Sequence, residues 1–240
     1  KVIRTTVVAE GLEHPNGVRV RDGFLYVTQS LLSKVKDSSG DLVSAVYRFR
    51  LDDVGVRVAN TLDDPNLLVS FRTKNRFCQY GVDGLAFDSK GNLYVGNFGD
   101  GELLKVSFDA AGRVLNTCVF ARTAFDIRLD PAQSGFLAQA TQAAMRTTDG
   151  VCIDAADNLY VADFSNNGIV RVGPDGTVVR LWQNGDTDGR DGSLNEPGEP
   201  IIWKGRLVVS NFDAVCGPGH PDKVNTKTDF PATLSVLALP

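Results

Sequence analysis

Four oxygen-bearing side chains, Asn16, Asp83, Asp149 and Glu199, each stand four residues ahead of the apolar residue that closes a short apolar run. Those closing residues are Val20, Phe87, Ile153 and Trp203. Oxygens of this kind suit a hard divalent cation such as Ca²⁺, which takes roughly six to eight donors at about 2.3–2.6 Å. Three carboxylates crowded together repel one another unless a cation, protons or hydrogen bonds offset the charge. A cation so held can polarise a carbonyl and acidify a water, which is hydrolytic chemistry. The plainer reading is a turn role, since Asp and Asn ahead of a strand often bond the nearby backbone. Recurrence at one register, with Glu where a turn role is weakest, favours the metal.

The elements that must position these groups recur with them. The copies are Asn16 to Val20 followed by Phe24 to Val27, Asp83 to Phe87 followed by Leu93 to Val95, Asp149 to Ile153 followed by Leu159 to Val161, and Glu199 to Trp203 followed by Leu207 to Val209. Internal repetition of this kind identifies arrays and propellers. Each copy reads as a strand, a short polar turn such as Asp88-Ser-Lys-Gly91, and a returning strand. Third and fourth strands follow at Leu103 to Phe108 and Val114 to Phe120, and at Ile169 to Val172 and Thr177 to Trp182. The first copy continues with Ala45 to Leu51 and Asn66 to Phe71, the last with Thr233 to Leu239. The expectation is an all-β β-propeller of four-stranded antiparallel blades, four of them recognisable, forming a single domain over residues 1–240.

In a propeller the first strand of each blade lines the central channel, so the four oxygen-bearing residues converge at one rim. The second strand returns to that rim and ends in Gln29, Asn97, Asp163 or Asn211, a second tier of oxygens. Taken singly, Asn97, Asp163 and Asn211 read as turn or supporting residues. The last copy lacks a fourth strand, and residues 3–9 have no blade of their own. Pairing of that N-terminal strand with the last blade would close the ring and hide a sheet edge. The copies start 67, 66 and 50 residues apart, beyond the roughly 40–50 of a bare blade in the first two intervals. Insertions are expected at Ser30 to Gly40 and Phe125 to Thr148, with a short helix around Gln139 to Met145.

Composition narrows the partners. A net charge of -4, a pI near 5.2 and the absence of a basic run argue against nucleic acid. No apolar stretch reaches the roughly 18 residues of a membrane helix. The four cysteines lack a zinc spacing; a Cys78–Cys216 disulfide and free thiols are both open. The start at Lys1 without Met, with that disulfide, leans toward a secreted or periplasmic protein. Oligomeric state is not legible.

The run Asp149-Gly-Val-Cys-Ile-Asp154, with Asn158-Leu-Tyr-Val-Ala-Asp163 and Gly168-Ile-Val-Arg-Val172, resembles the regucalcin/gluconolactonase family, the senescence-marker-protein-like propellers of six blades. The resemblance covers roughly residues 80–215. It implies one divalent cation on the axis, Ca²⁺ first, with Zn²⁺, Mg²⁺ or Mn²⁺ as alternatives, and hydrolysis of sugar lactones. It places the family's metal-binding Asp at Asp149 and its metal-binding Asn at Asp83, which adds a negative charge. The family's Glu comes from its first blade; the similar Glu199-Pro200 comes last here. A substrate-contacting Arg two residues before an Asn corresponds to His14 ahead of Asn16, so the Arg is missing. Either two blades precede this sequence or the ring is smaller.

The leading functional expectation is a divalent-metal-dependent lactone or ester hydrolase acting on a small molecule. Asp149, Asp83, Glu199 and Asn16 would hold the cation, Asp149 or Asp83 would serve as base, and Asn16 and His14 would orient substrate. His220, the other histidine, reads as a loop residue. No Gly-x-Ser-x-Gly element points to a serine nucleophile. The alternative is a non-catalytic propeller that binds a small molecule or protein around a structural cation. An oxidoreductase is disfavoured by the scarcity of histidines and the lack of a cofactor motif.

Overall fold

The computed structural model describes residue 2 and residues 4–123, 143–212 and 232–240. Four antiparallel sheets form successive blades of a β-propeller. Blade one is β2 (Pro15–Arg21), β3 (Phe24–Gln29), β4 (Leu42–Arg50) and β6 (Leu67–Thr73). Blade two is β7 (Val82–Phe87), β8 (Leu93–Asn97), β9 (Glu102–Phe108) and β10 (Val114–Arg122). Blade three is β11 (Val151–Ile153), β12 (Leu159–Asp163), β13 (Gly168–Val172) and β14 (Val178–Gln183). Blade four has three described strands, β15 (Pro197–Trp203), β16 (Arg206–Asn211) and β17 (Leu234–Ala238). Two short strands, β1 (Ala9–Glu10) and β5 (Val56–Arg57), pair in parallel beside blade one.

The β7–β8 and β11–β12 hairpins share one turn chemistry. Asp88 Oδ1 accepts the Lys90 and Asn92 N–H groups at 3.0 and 2.7 Å, and Asp154 Oδ1 accepts those of Ala156 and Asn158 at 2.9 Å each. The second carboxylate oxygen of each accepts from Asn92 and Tyr94, or from Asn158 and Tyr160. Gly91 and Asp157 take the left-handed backbone that this loop needs. The acidic residue that ends the family-like run at Asp154 is therefore a hairpin anchor.

The core is laid in sheets between neighbouring blades. Val46, Leu85, Val95 and Val106 fill the layer between blades one and two, with Tyr26 edge-on to Phe87. Leu103, Val151, Leu159 and Val170 fill the next, and Ile169, Leu207 and Val209 the third.

The inner strands meet through glycine. A Cβ on Gly17 would stand 2.6 Å from the Asp83 carbonyl oxygen, one on Gly84 2.6 Å from the Val151 nitrogen, and one on Gly150 2.5 Å from the Gly198 carbonyl oxygen. Real Cβ contacts are not that short, so each blade can approach the next only where a side chain is missing. Gly84 and Gly150 use the approach, donating their N–H groups to Asp149 and Gly198 carbonyls at 3.2 and 3.0 Å. The glycine of the recurring Asp-Gly pair is thus the blade-to-blade joint.

The N-terminal segment departs from expectation. Gly55 and Val56 N–H donate to the Val7 and Val8 carbonyls, and Ala9 pairs with Val56. The segment lies against blade one, and the expected pairing of residues 3–9 with blade four is corrected for its described part. The reason is apolar: Val8, Ala9 and Leu12 cover the outer face of blade one, where Val43, Tyr47 and Phe49 are buried. The expected helix at Gln139 to Met145 falls largely outside the described residues, as do Cys216, with its pairing to Cys78, and His220.

Candidate functional site

Asp83 and Asp149 come together at the inner ends of blades two and three. Asp83 is buried, with 2 % of its surface exposed. Burial and the charges of Asp149 and Glu199 push its carboxyl well above the usual range. Burial, then Glu199, push Asp149 up to about 7, against the Gly150 N–H and a hydrogen bond from Asp83, which lower it. The pair shares a hydrogen bond, which requires one of the two to carry a proton.

Glu199 reaches the same group from a different position than expected. Pro197 pairs with Asn211 as Val82 pairs with Asn97 and Pro15 with Gln29. Gly198 therefore occupies the place of Asp83 and Asn16, and Glu199 that of the joint glycines. Spacing from Trp203 misleads because the β15–β16 hairpin turns in two residues, Lys204 and Gly205, both at positive φ. The strand gains Trp203, and Ile202 is the true counterpart of Phe87. Glu199 Oε1 accepts from Arg19 Nη2 at 2.5 Å. Arg19 also donates to the Val151 and Val18 carbonyls at 2.8 and 2.7 Å, so it links blades one, three and four at the channel.

Asn16 is exposed at the rim and its Nδ2 donates to the Tyr80 hydroxyl at 3.1 Å. Its neighbour Gly17 is held by Thr28 Oγ1 at 2.7 Å. His14 is exposed ahead of β2, outside the cavity wall. The second tier does not face the axis. Gln29 bonds Asn60 and the Glu13 N–H; Asn97 bonds Thr73 and the Arg72 carbonyl. Asp163 accepts from the Arg146 and Thr147 N–H groups and from Asn166, and Asn211 bonds Ser193, Thr233, Ser235 and the Asn195 N–H. These side chains fasten loops to blades, in line with the turn reading.

A cavity of about 770 Å³ opens above Asp83 and Asp149, lined also by Asn16, Arg19, Glu199 and loop residues of the upper rim. That is within the roughly 300–1,000 Å³ of small-molecule clefts. The sequence reading missed its aromatic side. Tyr80, Phe98, Phe164 and Phe212 form a chain of rings at 5.2, 5.7 and 5.7 Å between centroids. The signal was present, because Phe98, Phe164 and Phe212 each directly follow the loop-fastening residue at the end of the second strand.

The donor types suit a hard cation: two carboxyl groups crowded until one holds a proton are groups that a divalent charge would relieve. Among the described residues, no three His, Cys, Asp or Glu side chains are gathered as a ready cage. Glu199 is held by Arg19 instead.

No family model and no curated protein matches the chain. Solved structures do. A gluconolactonase from Xanthomonas campestris is 17 % identical with a TM-score of 0.50, over 94 % of this chain and 57 % of its own. A regucalcin from Agrobacterium tumefaciens, described as calcium-binding, is 15 % identical with a TM-score of 0.47, over 90 % of this chain and 63 % of its own. A luciferin-regenerating enzyme is 12 % identical with a TM-score of 0.47, over 94 % and 92 %. This chain thus spans less than two thirds of the length of the first two. At such identity the likeness to the gluconolactonase establishes a shared β-propeller fold.

Proposed function

We propose that this protein hydrolyses a lactone or related ester with the help of a divalent cation. The observation that carries the reading is the Asp83–Asp149 carboxyl pair at the floor of a cavity sized for a small molecule. Asp83 and Asp149 would hold the cation, and Asn16 and Glu199, which line the same cavity, would be its further donors once Arg19 releases Glu199. A cation there supplies polarisation of the scissile carbonyl and acidification of water.

The remaining chemistry belongs to the chain. Water adds to the carbonyl carbon while Asp149 takes its proton. The ring C–O bond then breaks, and the proton passes to the departing alkoxide to give a hydroxy acid. Asn16 and Tyr80, already bonded to each other, form a polar clamp on the blade-one side of the opening.

A second reading is ligand binding without turnover. The Arg19–Glu199 ion pair favours it, because it withdraws one carboxylate from the group. One experiment separates the two. Metal content and hydrolysis of a lactone and ester panel are measured before and after chelation, in wild type and Asp149→Ala. The hydrolase reading requires turnover that chelation abolishes and a variant that loses cation and turnover together. Cation binding without turnover of any panel member selects the second reading.

A further inference from the structure

The cavity has two chemically different walls. Its floor is acidic, and its outer wall is the chain of rings Tyr80, Phe98, Phe164 and Phe212, which runs across the loops of blades two, three and four. Neighbouring rings meet at interplanar angles of 65°, 62° and 59°, the first two pairs edge-on and the third tilted. Tyr80 is 41 % exposed and Phe212 66 %, and Phe77 beside them is 45 % exposed. That much apolar surface clustered at one opening has the character of a binding surface.

Three polar side chains that line this wall, those of Asn75, Gln79 and Thr147, are bonded within their own loops, and the Tyr80 hydroxyl is taken by Asn16; Arg146 and Ser165 line it as well. Asn75 Oδ1 accepts the Phe77 and Cys78 N–H groups, and its Nδ2 donates to the Gly99 carbonyl. Gln79 Nε2 donates to the Asn75 carbonyl. Thr147 Oγ1 donates to Asp163 and accepts the Ser165 N–H. These groups hold their own loops, and a ligand rich in hydroxyls would lose water here with few replacements. A site built to bond hydroxyls needs partners aimed at them.

We propose that the substrate is an apolar lactone, one bearing an alkyl or aryl substituent, with its carbonyl end over Asp83 and Asp149 and its substituent along the rings of Tyr80, Phe98, Phe164 and Phe212. The assignment as a substrate rests on the hydrolase reading; the apolar subsite is measured independently of it.

The test uses two matched series. γ-Lactones with alkyl chains from methyl to hexyl, and glucono-δ-lactone, are assayed for hydrolysis by proton release. Cyclopentanones with the same alkyl chains, which cannot be hydrolysed, are assayed for binding by calorimetry. Each methylene should tighten ketone binding and raise kcat/KM for the lactone by up to about fourfold, the value of a fully buried methylene. Phe212→Ala, at an exposed position, and Phe164→Leu, which keeps an apolar bulk in place, should both flatten that slope. Ketone binding that rises with chain length, without hydrolysis of any lactone, supports the apolar subsite and removes the hydrolase reading. Hydrolysis with no dependence on chain length, or with glucono-δ-lactone preferred over the hexyl lactone, overturns the inference and leaves the hydrolase reading intact.

Discussion

Replacing Asp149 by Asn should flatten the pH dependence of stability in the cation-free protein. The folded-state pKa of Asp149 is about 7, raised from 3.8 by burial first and by Glu199 second. A raised acid binds its proton more tightly in the folded state, so its contribution to stability is full below pH 3.8 and drains away as pH rises toward 7. From pH 5 to pH 7 the folded carboxyl goes from almost fully protonated to half ionised, while the unfolded one is ionised throughout. The loss over that window is about 2 kcal/mol, with one pKa unit worth about 1.4 kcal/mol. For a chain of this size that corresponds to roughly 4–8 °C in melting temperature. Asp83 titrates in the same direction, and Asn at position 149 removes a like charge from beside it, so both changes flatten the profile. The assay is thermal unfolding in chelator at pH 5, 6 and 7, for wild type and Asp149→Asn. Parallel profiles for the two proteins would refute the buried pair, whatever the absolute stabilities.

Four further outcomes follow from the structure. Gly84→Ala sets a Cβ against the Val151 backbone, with no flexible side chain to yield, and should cost about 2–4 kcal/mol in denaturant unfolding. Gly185→Ala, with nothing within 4 Å, should change stability by less than about 0.5 kcal/mol. Arg19→Met releases Glu199 toward the cavity and should tighten Ca²⁺ binding about fivefold in calorimetry, on the scale of one partly exposed ion pair. Cys118 is exposed on an outer strand, whereas burial pushes the Cys152 thiol up to about 12, so iodoacetamide at pH 8 should label Cys118 before Cys152 by mass spectrometry.

The repeat was legible because strand alternation and turn residues carry local signals. The run Leu93-Tyr94-Val95 and its counterpart Leu159-Tyr160-Val161 alternate toward two faces, and Asp88 and Asp154 fasten the turns ahead of them. The meeting of Asp83 with Asp149 was legible for the same reason, since both stand at one place in a repeating unit. What spacing could not settle was register. A two-residue turn in place of a longer one lengthened β15 and moved Glu199 onto the glycine position, although the residue count to Trp203 looked right. The N-terminal segment was misassigned because a sheet edge seemed the strongest demand on it. The apolar face of blade one, with Tyr47 and Phe49 to cover, asked for more. The aromatic wall was hidden because its rings come from separate loops, and only the folded chain places Phe164 between Phe98 and Phe212.

The division of labour at the ends of the second strands of blades two, three and four has a physical consequence. Asn97 clasps the end of β6 in the preceding blade, Asp163 and Asn211 clasp the segments that lead into their own blades, and the ring that follows each is the first residue past the clasp. Neither the clasp nor the glycine joints depend on what the rest of the loop contains. Insertions and exchanges above that point can therefore reshape what enters the mouth while the frame below keeps its bonds.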